Sequence, residues 1–130
     1  MKMENIYEKF LHSKAAANLA PRTLEYYDDM FKMLDRWLKK QGITDVEQIN
    51  QTVLEDYMIY VKGRYANATI KGRYIVLAIL FRWIHKSEII AINPMDDLHM
   101  PKLAKRLVPS FSKSEIGKIL SIFDIVAEVK

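Results

Sequence analysis

Residues 67–86, NATIKGRYIVLAILFRWIHK, decide how the rest of the chain is read. Wound at 3.6 residues per turn, they line Ile70, Tyr74, Leu77, Phe81 and Ile84 along one face, and Val76, Leu80 and Trp83 widen it well past a narrow stripe. A helix this broadly apolar belongs in a core. Lys71, Arg82 and Lys86 fall on another arc, Arg73 is expected to project near the helix start, and no Asp or Glu occurs from Tyr57 to Ser87. A core helix whose exposed positions are all cationic holds positive charge rigidly against a polyanion. The plain alternative is a buried helix whose lysines and arginines only solvate it.

Charge is distributed unevenly around this helix. The whole chain of 130 residues is only mildly basic, at +4, which by itself does not single out a nucleic-acid binder. Residues 1–61 hold 8 basic and 10 acidic side chains (net −2), residues 62–106 hold 9 and 3 (net +6), and residues 107–130 hold 3 of each (net 0). The positive field therefore sits on the second half of the main domain and the segment leaving it. Half of the residues are hydrophobic, enough for a sizeable core. Cysteine is absent, which removes disulfides and thiolate metal sites and fits a reducing compartment. The opening MKMENIYEKF carries charge where a signal peptide needs an apolar run, and no apolar stretch approaches the roughly 18 residues of a membrane span. A soluble, cytoplasmic protein with no membrane partner is the expectation.

Upstream of the central helix, periodicity predicts a first helix over about 4–17, with Ile6, Tyr7, Phe10 and Leu11 on its apolar face. A break at 18–20 precedes Pro21, a residue suited to a first helical position, and a second helix runs to about Gln41 with Gly42 as its stop. Leu24, Tyr27, Phe31, Leu34 and Leu38 form its stripe. Thr52 and Glu55 have the spacing of a capping box, which predicts a third helix over about 53–64 that buries Val53, Leu54, Tyr57, Met58 and Val61. Downstream, Pro94 biases Asn93 away from helical geometry. The predicted fold is all-α: a compact four-helix cluster, orthogonal or antiparallel, over residues 1–98, then a linker over 99–110. One extra helical start follows within 111–130, where Ser112 and Glu115 form another capping-box pattern before Ile116, Ile119, Leu120 and Phe123.

Candidate chemistry is sparse. His12, His85 and His99 share no metal-ligand spacing, and Asp96 beside Asp97 in a proline-flanked turn suits capping or solvation. The four glycines form no phosphate loop. The seven tyrosines lie mostly on apolar faces, where a phenol packs as core with a polar tip. No acid, base or nucleophile converges, so neither catalysis nor a cofactor is expected.

Taken together, LAPRTLEYYDDMFKMLDRWLKKQGI, TVLEDYMIYV, NATIKGRYIVLAILFRWIHKSEIIAINP and FSKSEIGKIL resemble the N-terminal core-binding, SAM-like domain of tyrosine recombinases, the family of phage and mobile-element integrases and Xer-type proteins. The similarity runs in order over about residues 4–121, although Ala20 stands where members often carry a capping serine. The resemblance implies a domain that grips one face of a recombination-site duplex during DNA integration and recombination. It also implies other recombinase protomers as partners and no catalysis by this stretch: 111–130 would begin a catalytic domain whose arginines, histidines, lysine and tyrosine nucleophile lie beyond Lys130. Carried over to this chain, it brings Arg22, Thr23 and Tyr26 at the second helix and Thr69, Lys71 and Arg73 at the fourth towards DNA. Lys102, Lys105 and Arg106 would track the backbone in the linker, and Arg82 and Lys86 extend the cationic arc. Helix starts with free N–H groups and nearby cations are what phosphates require in any case. Without the resemblance, a helical protein–protein interaction module with a basic solvated face is the competing reading.

Overall fold

The computed structural model describes residues 1–100, and the expected linker residues 101–110 and the helical start in 111–130 lie outside them. Four helices account for most of the described chain: α1 (Met3–Ala16), α2 (Pro21–Lys40), α3 (Gln51–Lys62) and α4 (Asn67–Lys86). No strand forms among the described residues. The first two helices pack on each other, α3 packs on α4, and α4 also touches α1 and α2, so the most apolar stretch becomes the shared partner of the cluster.

An aromatic knot joins three of these helices. Phe10 of α1 meets Tyr27 and Phe31 of α2 and Trp83 of α4 edge to face, at centroid distances of 5.3, 5.2 and 5.5 Å. This is the geometry in which ring edge and ring face attract. Trp37 of α2 reaches Tyr57 at 5.3 Å and ties in α3. On α4 the expected Ile70, Val76, Leu77, Leu80, Phe81 and Ile84 are buried, with Tyr74 and Trp83 half-buried at the margins. Beyond α4 the chain returns to the core, burying Met95 and Leu98, while the Tyr74 hydroxyl donates to the Leu98 carbonyl at 2.9 Å.

Three of the helices end in the same way. After α2, Ile43 N–H donates to Leu38 O and Gly42 N–H to Lys39 O, with Gly42 at φ +76°. That is a Schellman motif, which satisfies carbonyls the helix leaves orphaned. The pattern repeats after α1 with Asn18 at φ 64° and Leu19 donating to Lys14 O, and after α4 with Glu88 at φ 60° and Ile89 donating to Ile84 O. In each case the residue that follows is apolar and packs inward.

One expected start is corrected. Thr52 does not cap α3; Asn50 does, its Oδ1 accepting from Val53 N–H at 3.0 Å. The preceding link holds a short 3₁₀ turn, Val46–Gln48, closed by its own capping box between Asp45 and Gln48. That turn buries Val46 and Ile49, so the chain is already aimed at the helix two residues before Thr52. The same link is pinned to the start of α1, where Met3 N–H donates to Thr44 O at 2.8 Å.

Candidate nucleic-acid interface

The first turns of α2 and α4 lack the side-chain cap that Asn50 gives α3. Their N-cap residues are Ala20 and Ala66, neither of which supplies a side-chain acceptor, and neither first turn holds an acidic residue. Helix starts left in this state present N–H groups and a positive dipole end to an incoming anion. Where α4 passes α2, a β-carbon built on Gly72 would stand 3.1 Å from the Tyr26 hydroxyl and 3.9 Å from the Met30 methyl group. Gly72 thus leaves room at this crossing for the tips of two long α2 side chains, a role hidden in the sequence because a lone mid-helix glycine reads only as a weakness.

Around this crossing, Arg22 is exposed, and Thr23, Tyr26, Thr69 and Lys71 are half-buried. Burial raises the Tyr26 phenol above its usual value, against a smaller opposing pull from the Arg73 charge. Arg82 and Lys86 are exposed and share the Lys71 stripe of α4, which spans about 22 Å along the axis from Lys71 to Lys86. Lys102, Lys105 and Arg106 lie outside the described residues.

Arg73 departs from expectation. Instead of projecting, it is 4 % exposed. Its Nη1 donates to the Tyr57 hydroxyl at 2.9 Å, its Nη2 reaches the Met33 sulfur at 2.7 Å, and its guanidinium lies 4.8 Å from the Tyr65 ring centroid. Nε has no acceptor among the described residues, and no carboxylate pairs with the charge there. Arginine tolerates such a site because its delocalised cation is weakly hydrated and stacks on aromatic faces. As folded, Arg73 packs between α4, α3 and α2 instead of standing on the surface.

A second set of cations gathers at the far end of α4. Lys14 of α1, which nothing in the sequence singles out, faces Arg82 and Lys86 across a groove of about 310 Å³ floored by Ile79 and Trp83. No sequence signal states which face of α1 meets α4, so only the packing reveals this grouping. By contrast, Lys2, Lys32 and Lys39 are engaged by Asp45, Asp28, Glu4 and Asp35. His12, His85 and His99 are exposed, and no metal-ligating cluster occurs among the described residues. Among those residues no helix is long and apolar enough to cross a membrane.

Comparison with known proteins follows the same outline. A family model described as the phage integrase N-terminal SAM-like domain matches residues 6–91, which takes in nearly all of the four helices. The chain is 24% identical over 108 residues to tyrosine recombinase XerD of Shewanella oneidensis, covering 82% of this chain and 36% of that protein. It is 29% identical over 116 residues to tyrosine recombinase XerC of Pelotomaculum thermopropionicum, covering 85% and 38%. Tyrosine recombinase XerC 2 of Ralstonia nicotianae is 31% identical over 96 residues, covering 68% and 28%. The matched stretch thus spans between 28% and 38% of these relatives' length. No solved structure matches it.

Proposed function

The chain belongs to the phage integrase N-terminal SAM-like domain family, found here in tyrosine recombinases, and from that premise we propose that it binds duplex DNA at a recombination site without itself cutting it. The observation that carries this reading is that α2 and α4 both start without a side-chain cap or an acidic residue, with Arg22 and Lys71 in their early turns and further cations along α4. Backbone N–H groups at such starts hold phosphates and position the domain, and the lysines and arginines add affinity that falls with salt. Thr23 and Thr69, half-buried in the first turns of α2 and α4, are the side chains to meet the duplex next, with Tyr26 a turn further along and its hydroxyl against Gly72. Of the tyrosines, Tyr7, Tyr27 and Tyr57 are buried in the aromatic core, which supports a binding rather than a nucleophilic role for this stretch.

A neighbouring recombinase protomer is the second partner we propose. Ile59 on α3 is 68% exposed at a groove where Met58 and Leu98 are rimmed by Glu55, Lys62, Asp97 and His99, an apolar side chain framed by charges of both signs as a protein contact requires. The test of the DNA reading is equilibrium binding of a labelled duplex by the parent and by an Arg22→Ala, Lys71→Ala double variant. The variant should bind several-fold more weakly with an unchanged melting temperature, and equal binding by a folded variant would remove the helix starts from the interface.

A further inference from the structure

Lys14 stands in the last turn of α1, Lys86 in the last turn of α4 and Arg82 one turn earlier, and all three line the groove over Ile79 and Trp83. Lys14 Nζ lies 5.4 Å from the Phe10 ring centroid, and Phe10 in turn meets Trp83 edge to face. The two helices that carry the groove's walls are therefore joined by the aromatic core and not by loops. None of the three has a carboxylate partner among the described residues, so their charges repel one another and focus a positive potential in the groove.

We propose that this groove is a second phosphate-binding point, separate from the helix starts, with Lys14 contacting the duplex backbone from α1. The inference rests on the DNA reading above and names a contact on a helix that reading does not use. Cations near helix C-termini also offset the negative end of the macrodipole, which accounts for Lys14 and Lys86. It does not account for Arg82, which lies before the last turn, nor for convergence of two helices' cations on one groove. A duplex suits the groove better than an acidic peptide does, because Arg82 and Lys86 continue the line of Lys71 back to the α2–α4 crossing. One extended polyanion can therefore follow the whole stripe.

The test is fluorescence anisotropy of the whole chain with a labelled random-sequence duplex across a range of salt. A Lys14→Ala, Arg82→Ala variant should lower the log–log salt slope by about 2, one for each phosphate that is no longer neutralised, while melting like the parent. A Lys14→Gln, Arg82→Gln pair, which keeps the aliphatic stems over the rings, repeats the measurement if the alanine pair melts early. Lys9→Ala with Lys40→Ala, exposed cations outside the groove, should leave the slope nearly unchanged. A groove variant that keeps the parent's slope overturns the proposal, and so does an equal drop in the Lys9, Lys40 variant. A groove variant that keeps the duplex slope but no longer binds polyglutamate assigns the groove to an acidic peptide instead. A parent that binds no duplex at low salt overturns the DNA reading itself, a failure distinct from that of this groove alone.

Discussion

Arg73 of α4 donates from Nη1 to the phenolic oxygen of Tyr57 on α3 at 2.9 Å, which makes a cation of the most basic region part of the core. Burying a guanidinium without a carboxylate is costly, and what offsets it here is one phenol, one thioether and one aromatic face. Replacing such a group by an apolar one of similar reach is often neutral, whereas truncating it leaves a cavity and a phenol without its donor. Arg73→Ala should therefore cost about 2–4 kcal/mol and Arg73→Met much less, while neither changes the salt dependence of DNA binding. Urea unfolding and a salt titration of both variants check this. A flattened salt slope in folded Arg73→Met would mean that the guanidinium reaches the duplex after all.

Phe81 and Leu77 lie in the middle of α4, at 0% and 2% exposure, where α1, α2 and α3 converge on it. Truncation there removes transfer energy and leaves a hole that close-packed neighbours fill only partly. Phe81→Ala should cost about 3–5 kcal/mol and Leu77→Ala about 2–5, a large share of the stability of a domain this small. Thermal melting within a degree or two of the parent would contradict the central role of α4.

Much of this is legible in the sequence. The four helices follow from apolar spacing, and Gly42 announces the end of α2. Arg73 misleads because its charge outweighs its position: it lies three residues after Ile70 and four before Leu77, squarely on the apolar face. The start of α3 is displaced because Asn50 and Thr52 are both good caps, and only burial of Val46 and Ile49 chooses between them. Lys14 and Gly72 are invisible for a different reason. Periodicity says which face of a helix is buried but not which helix it meets, so neither the α1–α4 groove nor the close α2–α4 crossing can be read from spacing.

The three Schellman ends differ in how comfortably they hold the left-handed residue. Gly42 has no β-carbon to strain, and one added there would meet nothing within 4 Å, so Gly42→Ala isolates the backbone cost of about 1–2 kcal/mol. Glu88 already bears that cost at φ 60°. Glu88→Gly should accordingly stabilise by about 1 kcal/mol, less what the added backbone freedom of the unfolded chain takes back. Urea midpoints moving in opposite directions for the two substitutions check the pair, and parallel shifts would contradict it.

Alkaline stability follows from the buried phenols. Burial pushes Tyr27 up to about 12 and raises Tyr7 and Tyr57 as well, the last against a weaker opposing effect of Arg73. In the unfolded chain these groups titrate near 10. Each one therefore contributes stability that is fully present below pH 10 and is lost as pH rises through its folded value. Urea midpoints should hold level up to about pH 10 and fall between about 10 and 12, with phenolate absorbance rising together with the loss of helical circular dichroism. Phenolate appearing in full at pH 10 while the helices persist would contradict the packing of these rings.

The dependence of duplex affinity on salt, measured for the unaltered chain, tests the DNA-binding assignment most directly. If Arg22, Lys71, Arg82 and Lys86 each displace a counterion from the backbone, log K should fall against log salt with a slope of about −3.6, steeper with Lys14 in contact. Affinity near physiological salt should then lie in the non-specific range, a Kd of about 10⁻⁴ to 10⁻⁶ M. A slope near zero, or no duplex binding at low salt, would contradict the assignment and leave a helical interaction module whose basic face only meets water.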